Sequence, residues 1–533
     1  MGRPLGPGQP LLNFDVFLLI CESIRDTQTT LSFSLVSSIL RPMAVKQLLS
    51  INPVVLKDER TIRAFHRFIF ADSRSRIPLL RALNISITKL EEKIRQETVG
   101  RILDLLKRAT RLECLTLPDP MRTFKCLADS RVLDAIIRIS TLREIGLLEP
   151  CEEMMTLVNA THSVASLRIL RVSLGCLPDV FWSNYGIKLA KLDALLRHLM
   201  PTIEVLDFKK TKNLVINSQG MQYPTVRSFM AGFEDGIIRT DILVHTFPAS
   251  DGTLDVGSVF GALQDNVRRR KQLRASNQER QKQRSWRHMD RVIGDVLALF
   301  ILGLTCPPQE EPDGGCSACD APTHLKLHAL LPHGDTFFED LFPLEVIPRL
   351  THLVLLLEYT NPWITDEHCD REAIRTMQWA DLIAKIIGTV SALRLSHFRL
   401  VVHYRIDKTD PMYGPYSNDF LRSLAELDHA HLAAQLMATA PSLQYVFVSM
   451  GGEFETLLRT PSGAWRQKRG RWFAHSAWKT ASAGAGAPRR LDSDVMERML
   501  LDEDLILSDD DNFSLGFQRT WNADQTAPWP LPE

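Results

Sequence analysis

The stretch Leu112-Glu113-Cys114-Leu115-Thr116-Leu117 shows the pattern that sets the architecture of this chain. Apolar residues occupy its first, fourth and sixth positions, and the last two alternate as in a strand with one buried face. The same spacing recurs, and each recurrence predicts a further short strand. The recurrences are Leu80/Leu83/Ile85, Leu142/Ile145/Leu147, Leu167/Leu170/Val172, Ile203/Leu206/Phe208, Leu350/Leu353/Leu355, Leu395/Phe398/Leu400 and Leu443/Val446/Val448.

The segments between these strands are long enough to hold a helix. Ile94, Ile102, Leu105 and Leu106 precede Leu112 at helical spacing, which places them on one face. Equivalent helical patterns precede Ile203, Leu395 and Leu443. We therefore expect an α/β fold in which an irregular leucine-rich-repeat-like solenoid alternates helices with short parallel strands. Between Phe208 and Leu350 the pattern fades; we expect a degenerate strand at 226–229 and a helix at 290–304.

The N-terminal block Leu12-Asn13-Phe14-Asp15-Val16-Phe17-Leu18-Leu19-Ile20 has a different pattern. An aliphatic residue is followed three positions later by an acid, and aliphatic residues then recur at helical intervals. This spacing resembles an F-box. Together with the repeats and with the segments 285–299 and 302–306, it makes most of the chain, to about residue 450, similar to the F-box-like proteins of mushroom-forming fungi.

The resemblance implies a substrate-recognition subunit of a cullin-RING ubiquitin ligase. The F-box segment would dock on a Skp-type adaptor, and through it on a cullin, while the repeats bind a substrate protein. Asn13 stands where the family has proline. The residues that match the adaptor-binding helices of the family are Leu12, Asp15, Val16, Phe17, Ile20, Ile24, Leu31, Leu35 and Val36.

A second interpretation needs no ligase. Terminal repeats of a solenoid require a cap, and residues 11–50 could form only a helical cap. The protein would then be a repeat-based scaffold for protein interactions, with no link to ubiquitin transfer.

The sequence contains none of the common catalytic motifs. No phosphate-binding Gly-x-x-x-x-Gly-Lys-Ser/Thr, Gly-x-Ser-x-Gly or His-Glu-x-x-His is present. We therefore expect no enzyme activity, no catalytic residue and no cofactor. Cys306, Cys316, Cys319 and His324 could hold zinc, since a C-x-x-C pair suits a tetrahedral ion. No second C-x-x-C pair follows, so the sequence alone leaves this hypothesis open and we predict no metal site from it.

Charge and cysteine content limit the partners and the compartment. The net charge is zero, which gives the protein no overall attraction to nucleic acid or to an anionic membrane. Nine cysteines and the absence of a secretory signal favour an intracellular, cytoplasmic protein. A basic insertion contains Arg268-Arg269-Arg270-Lys271, which would add a nuclear fraction if it acts as an import signal; the alternative is a solvated, partly helical segment.

The expected domain boundaries follow from these patterns. Residues 1–10 form a flexible N-terminus and residues 11–50 the F-box-like helical segment. The solenoid extends over residues 51–452, with the basic insertion near 265–291 and a loop near 306–322. Residues 453–533 form a C-terminal extension that is partly flexible and acidic.

Overall fold

A computed structural model gives the fold of the 533-residue chain. It describes residues 14–24, 27–36, 38–51, 53–148, 160–161, 166–173, 196–209, 222–231, 239–257, 267–286, 289–304, 323–331, 350–360, 375–407, 417–459, 465–481 and 487–507. The chain divides into two compact units. The first contains residues 1–211 and 223–226, and the second contains residues 212–222 and 227–533.

Described helices and strands alternate through most of the first unit. Its helices are α1 Phe14–Ser23, α2 Thr27–Val36, α3 Arg41–Ile51, α4 Glu59–Ala71, α5 Ser73–Arg76, α6 Glu92–Arg108, α7 Pro120–Leu127 and α8 Ser130–Ile137, with a 3-10 turn at Ile77–Leu79. Its strands are β1 Val54–Leu56, β2 Ala82–Ile85, β3 Cys114–Leu117, β4 Glu144–Leu148, β5 Ile169–Ser173 and β6 Val205–Lys209. Each strand pairs in parallel with the next one along the chain.

The second unit continues the alternation and ends in an antiparallel hairpin. Its described helices are α9 Thr240–Thr246, α10 Val267–Gln283, α11 Val296–Leu302, α12 Trp379–Ala392, α13 Asn418–Ala425, α14 His429–Thr439 and α15 Ser493–Asp502. Its strands are β7 Ser228–Ala231, β8 Thr253–Asp255, β9 Arg291–Asp295, β10 His324–Leu331, β11 His352–Thr360, β12 His397–Asp407, β13 Tyr445–Arg459, β14 Trp465–Lys479 and β15 Arg489–Arg490. Strands β7 to β13 are parallel, and β14 and β15 are antiparallel to their neighbours.

The eight strands predicted from the apolar spacing are all present. At β3, for example, Leu112, Leu115 and Leu117 are fully buried, as the pattern requires. Strands β1, β8, β9, β10, β14 and β15 were not predicted from the sequence. In β10 the first apolar position of the spacing is taken by Pro322, so the strand that begins at His324 escaped detection.

A repeated backbone hydrogen bond joins each repeat to the next. The carbonyl of Arg81 accepts from the amides of Glu113 (2.8 Å) and Cys114 (2.9 Å), and that of Thr323 accepts from Thr351 and His352 (3.0 Å each). The carbonyls of Glu113, Arg143, Arg168, Thr351 and Ser396 do the same for the strand that follows each. In these repeats each strand therefore starts in the register set by the strand before it.

Hydroxyl groups strengthen this junction. Thr141 donates to the carbonyl of Leu112 (2.7 Å), and Ser166 donates to the carbonyl of Leu142 (2.8 Å). Each hydroxyl residue directly precedes the first apolar residue of its own repeat. Regular leucine-rich repeats use a ladder of asparagine amides after the strand. In these repeats serine and threonine before the strand satisfy the carbonyls instead.

The prediction of a helix at 290–304 was only partly correct. Residues 291–295 form β9, and the helix α11 occupies only Val296–Leu302. Asp295 caps it by accepting from the amide of Ala298 (2.6 Å), and Gly303 ends it with a positive φ of 59°. The apolar run therefore contains a strand and then a helix, because the cap at Asp295 starts the helix in the middle of the run.

The basic insertion forms the helix α10, and one face of this helix packs against α11. In α10, Arg274, Asn277 and Gln281 donate to the carbonyls of Phe300, Ile301 and Leu302 at 2.8–2.9 Å. These are carbonyls at the end of α11, which have no partner within their own helix. Arg268, Arg269 and Lys271 are exposed, whereas Arg270 is buried. The segment is therefore helical but not merely solvated.

The expected boundary at residue 452 was wrong. Strand β13 continues through it to Arg459 and pairs with β14 along its whole length. The sequence suggested a break because the regular apolar pattern stops after Gly451. In the structure Gly452 lies under the ring of Tyr404, in a space that a Cβ atom would overlap. The glycine is thus required inside the strand and does not end it.

The C-terminal segment packs against the second face of the sheet as far as residue 507. Leu505 (1% exposed) and Leu507 (6% exposed) join α15 in an apolar cluster. The other buried members of the cluster are Val354, Leu356, Val401, Phe447, Ala477, Met496 and Leu500. This part of the extension is therefore neither separate from the repeats nor loosely packed; residues 508–533 lie outside the described residues.

Truncation of Leu505 should destabilise the protein. Leu505→Ala removes buried methyl groups from the cluster and should lower the free energy of unfolding by about 2–5 kcal/mol. The matched control is Ile506→Ala, because this neighbour is 41% exposed and should change stability by less than about 1 kcal/mol. Urea-induced unfolding measures both. Equal effects of the two substitutions would contradict the packing described for Leu505.

The polar contact between α10 and α11 should also contribute to stability. Asn277→Leu leaves the carbonyl of Ile301 without the side-chain donor that it has in the native protein, which should cost about 1–3 kcal/mol. Lys271→Leu, on the exposed face of the same helix, is the control and should be nearly neutral. Thermal unfolding compares the two variants. A neutral Asn277→Leu would show that α10 is not held by this face.

Candidate functional site

The N-terminal helices are built around α3. Ala44, Val45 and Leu49 of α3 are buried, together with Leu40 before it and Cys21 of α1. Helices α1 and α2 lie against α3, and α3 in turn contacts α5 and the turn at Ile77–Leu79. The segment is therefore joined to the first repeat through α3, while α1 and α2 form its outer part.

Helices α1 and α2 and the turn after α2 carry exposed apolar side chains, which together we call the N-terminal apolar surface. It consists of Val16 (38% exposed), Leu19 (66%), Ile20 (38%), Leu31 (49%), Leu35 (77%), Val36 (73%) and Ile39 (66%). Among the described residues, only three other large hydrophobic side chains are this exposed: Val55, Leu501 and Ile506. Seven of ten thus lie within 24 residues of sequence. Such clustering of exposed apolar side chains marks an interaction surface.

The structure brings most of the predicted adaptor-binding residues into this region. Phe17 is half-buried, with its ring centroid 6.3 Å from that of Phe33, so it links α1 to α2. Ile24 is half-buried at the end of α1, where its carbonyl accepts from the side-chain amide of Gln47 (3.2 Å). Asp15 is exposed, and Leu12 lies outside the described residues. Leu19 and Ile39 belong to the same surface, although the predicted set did not include them.

Few charges interrupt the N-terminal apolar surface. Helix α2, Thr27–Val36, has no charged residue, and α1 has only Asp15 and Glu22. Fully exposed helices of soluble proteins are normally rich in charge on their outer face. A partner that covers α1 and α2 would therefore have few charged groups to desolvate.

A second candidate surface lies on one face of strands β2 to β6. Asn84, Thr116, Gly146, Arg171 and Asp207 are neighbours in register across these strands. The opposite face is apolar and buried, whereas Asn84, Thr116 and Arg171 are half-exposed. A face of small and polar side chains next to a packed core suits recognition of a protein partner.

Arg171 is the charged centre of this strand face. Its Nε atom donates to Glu144 (2.7 Å), and its Nη1 atom lies 3.5 Å from the carboxylate of Asp207. Burial alone would lower the pKa of the Arg171 guanidinium, but the hydrogen bond and charge of Glu144, with the charge of Asp207, raise it above its ordinary value. The guanidinium is held in one orientation and stays charged.

The structure bears on two further points, the possible zinc ligands and membrane-spanning helices. Cys306, Cys316 and Cys319 lie outside the described residues. His324 starts β10, where its ring stacks on that of His352. In the part of the chain that the structure describes, no helix combines the length and the apolar character needed to cross a membrane.

One chemically distinctive group, formed by His352, His397 and Glu503, was not predicted from the sequence. The available signal was a hydroxyl residue followed by histidine at the start of successive strands, as in Thr323-His324, Thr351-His352 and Ser396-His397. Glu503 has no such signal, because it is distant in sequence and reaches the histidines only through the fold.

Comparison with known proteins adds no assignment. No protein-family model matches the chain, and no curated protein matches it.

A pair of leucines tests the division of the N-terminal segment into an exposed surface and a buried core. Leu35→Glu should leave the thermal midpoint nearly unchanged, because this side chain is already in water. It should also reduce the fluorescence of a dye that binds exposed apolar surface. Leu49→Glu places a carboxylate in the core formed by α3 and should unfold the segment. Similar losses of stability in both variants would mean that Leu35 is buried in solution.

Proposed function

We propose that this protein is a substrate-recognition subunit of a cullin-RING ubiquitin ligase. The segment containing α1 to α3 docks on a Skp-type adaptor, and the repeats bind the substrate protein. The observation that carries the proposal is the N-terminal apolar surface, which stands exposed on the two helices whose sequence resembles an F-box.

The exposed side chains have the properties that adaptor docking needs. A helix that docks into an apolar groove presents anchors at intervals of three and four residues. Val16, Leu19 and Ile20 have this spacing in α1, and Leu31 and Leu35 have it in α2. Complete burial of one such side chain contributes about 1.5–3 kcal/mol. Several anchors together are sufficient for stable association without charge pairing.

The attachment through α3 favours a receptor role. Since α3 contacts α5 and the turn at Ile77–Leu79, an adaptor bound to α1 and α2 would be held close to the first repeat. A substrate bound to the repeats would then share one assembly with the ubiquitin carrier. Tethering raises the effective concentration of the two reactants, so the receptor itself needs no catalytic residue.

The face of β2 to β6 is the part of the repeats best suited to bind a substrate protein. Its row of small and polar residues includes Arg171, whose guanidinium is fixed by Glu144 and Asp207. Held in one orientation, this side chain loses little conformational entropy on binding.

The alternative function is that of a repeat scaffold without a ligase partner. The contact of α3 with the first repeat favours this interpretation, because a helical cap must lie against the repeat that it covers. A cap alone, however, does not require the exposed leucines of α2. The two functions differ in whether an adaptor binds.

Binding of the full-length protein to a purified Skp-type adaptor tests the proposal. The variant Leu31→Glu/Leu35→Glu introduces two carboxylates into the N-terminal apolar surface and should weaken binding at least about 100-fold, since each substitution removes one anchor. The matched control is Leu501→Glu, because Leu501 is 50% exposed and Leu31 is 49% exposed. Calorimetric titration gives the three affinities, and circular dichroism checks that all chains are folded.

Two results would overturn the assignment. If the unmodified protein binds no Skp-type adaptor, or if the double variant binds as well as the Leu501→Glu control, the N-terminal apolar surface is not an adaptor site. The scaffold function would then account for residues 11–50 as a cap.

A further inference from the structure

Three histidines form a stack across neighbouring strands of the second unit. His324, His352 and His397 begin β10, β11 and β12 and are paired in register. Their ring centroids are 4.1 and 4.5 Å apart, and the interplanar angles are 11° and 7°. Tyr445 continues the stack on β13, with its centroid 4.8 Å from that of His397. The parallel register therefore aligns imidazole rings from three repeats.

A hydroxyl group orients each ring. The Nδ1 atoms of His324, His352 and His397 lie 2.8–2.9 Å from the hydroxyl of the preceding residue, Thr323, Thr351 or Ser396. Each hydroxyl is also 3.1–3.3 Å from a backbone carbonyl of the neighbouring repeat. If the hydroxyl donates its one proton to that carbonyl, it can only accept a hydrogen bond from the ring. The ring proton is then on Nδ1, and Nε2 keeps its lone pair. Such outer hydrogen bonds orient metal-binding histidines.

The imidazole rings of His352 and His397 lie near one carboxylate, that of Glu503. Nε2 of His352 is 3.1 Å from Oε2 of Glu503. Nε2 of His397 is buried and, among the described residues, has no hydrogen-bond partner, although this residue is only 7% exposed. Ligand atoms of His352, His397 and Glu503 all lie within 4.8 Å of one another. A buried imidazole nitrogen without a partner is unfavourable unless something binds it.

The C-terminal segment fixes the carboxylate. Asp504 pairs with Arg291 of β9, and Arg399 of β12 donates to the carbonyl of Leu505 (2.6 Å). Glu503 precedes these two anchored residues, so its position over the histidines follows from the packing of α15. The charge of Arg291, which acts against protonation of His352, is itself balanced by Asp504.

We propose that His352, His397 and Glu503 form a binding site for a divalent transition-metal ion, with zinc as the ion that fits best. Two imidazoles and one carboxylate are an established ligand set for zinc, and they leave a fourth position for water. With ligand distances of about 2.0–2.2 Å, tetrahedral coordination needs ligand atoms roughly 3.3 Å apart. The pair His352–Glu503 already meets this spacing, whereas the ligand atoms of the whole group are up to 4.8 Å apart, so an ion has to draw His397 toward the other two.

The surroundings keep the imidazoles in the form that binds metal. Burial lowers the pKa of His397 to about 4, and the charge of His352 acts in the same direction. Burial also lowers the pKa of His352, against the opposing effect of Glu503. Both rings are therefore neutral at pH 7, with lone pairs available. The side chain of Glu503 is 40% exposed, which gives an ion access from solvent.

Zinc titration of the full-length, chelator-treated protein tests the site. Calorimetry should show one Zn²⁺ ion bound per chain through these residues, and Glu503→Gln and His397→Gln should each weaken that event at least about tenfold. The matched control is His328→Gln, since His328 lies 3.3 Å from Glu358 but belongs, among the described residues, to no group of three potential metal ligands. This control should bind zinc as tightly as the unmodified protein. The glutamine amide of Glu503→Gln can donate a hydrogen bond to Nε2 of His352, so the variant should remain folded.

A second measurement distinguishes the proposed site from cysteine thiols, which also bind zinc. Co²⁺ bound at the proposed site should give a visible spectrum without the intense thiolate charge-transfer band. A thiolate band, or zinc binding that is the same in all variants, would place the ion elsewhere and overturn the proposal. The absence of zinc binding by the unmodified protein would overturn it as well. If His397→Gln fails to fold, Glu503→Gln decides the outcome.

Discussion

The bifurcated hydrogen bond at the start of most of the parallel strands is the constraint from which the other features follow. One carbonyl accepts hydrogen bonds from two backbone amides of the next repeat. The carbonyl of Arg81 accepts from Glu113 and Cys114, and the carbonyl of Thr323 accepts from Thr351 and His352. The bond fixes where each strand begins relative to its neighbour. Once the starts are aligned, equivalent positions of successive repeats must lie side by side. Rows of like residues across the sheet are the consequence.

Such rows give the two units different surfaces. In the first unit the row through Asn84, Thr116, Gly146, Arg171 and Asp207 is mainly polar, and Asn84, Thr116 and Arg171 are half-exposed. In the second unit the starting positions of three strands hold histidine, and their rings stack. The same backbone geometry therefore supports a row of mainly polar side chains in one unit and a stack of imidazole rings in the other. The side chains placed in the row make the difference.

The C-terminal segment explains why β11 in the second unit is buried on both faces of the sheet. Strand β11 contains the continuous apolar run Leu353-Val354-Leu355-Leu356-Leu357, whereas β3 alternates in burial. A strand covered on both sides is apolar throughout, and a strand covered on one side alternates. Helix α15 and Leu505 cover the additional face, and their packing also brings Glu503 to the histidines. Stability and the proposed metal site thus depend on the same segment.

In the N-terminal helices, by contrast, many apolar side chains are exposed. Their outer apolar side chains stay exposed in the part of the chain that the structure describes, while α3 holds the segment on the first repeat. A surface of this kind lowers solubility unless a partner covers it. This exposed surface is what the proposed adaptor would bury.

The sequence by itself determined the alternation of helices and parallel strands, because the apolar spacing of Leu112, Leu115 and Leu117 is local and most of the parallel strands repeat it. It also identified the apolar positions of α1 and α2, since helical periodicity is readable within a few turns. It missed β10, where Pro322 breaks the spacing, and it placed a domain boundary inside β13, where Gly452 accommodates Tyr404. Only the tertiary structure decided that Leu505 is core and that Glu503 lies 3.1 Å from His352, although 151 residues separate the last two. Contacts over such distances depend on the register of all the intervening strands, and no local pattern encodes that register.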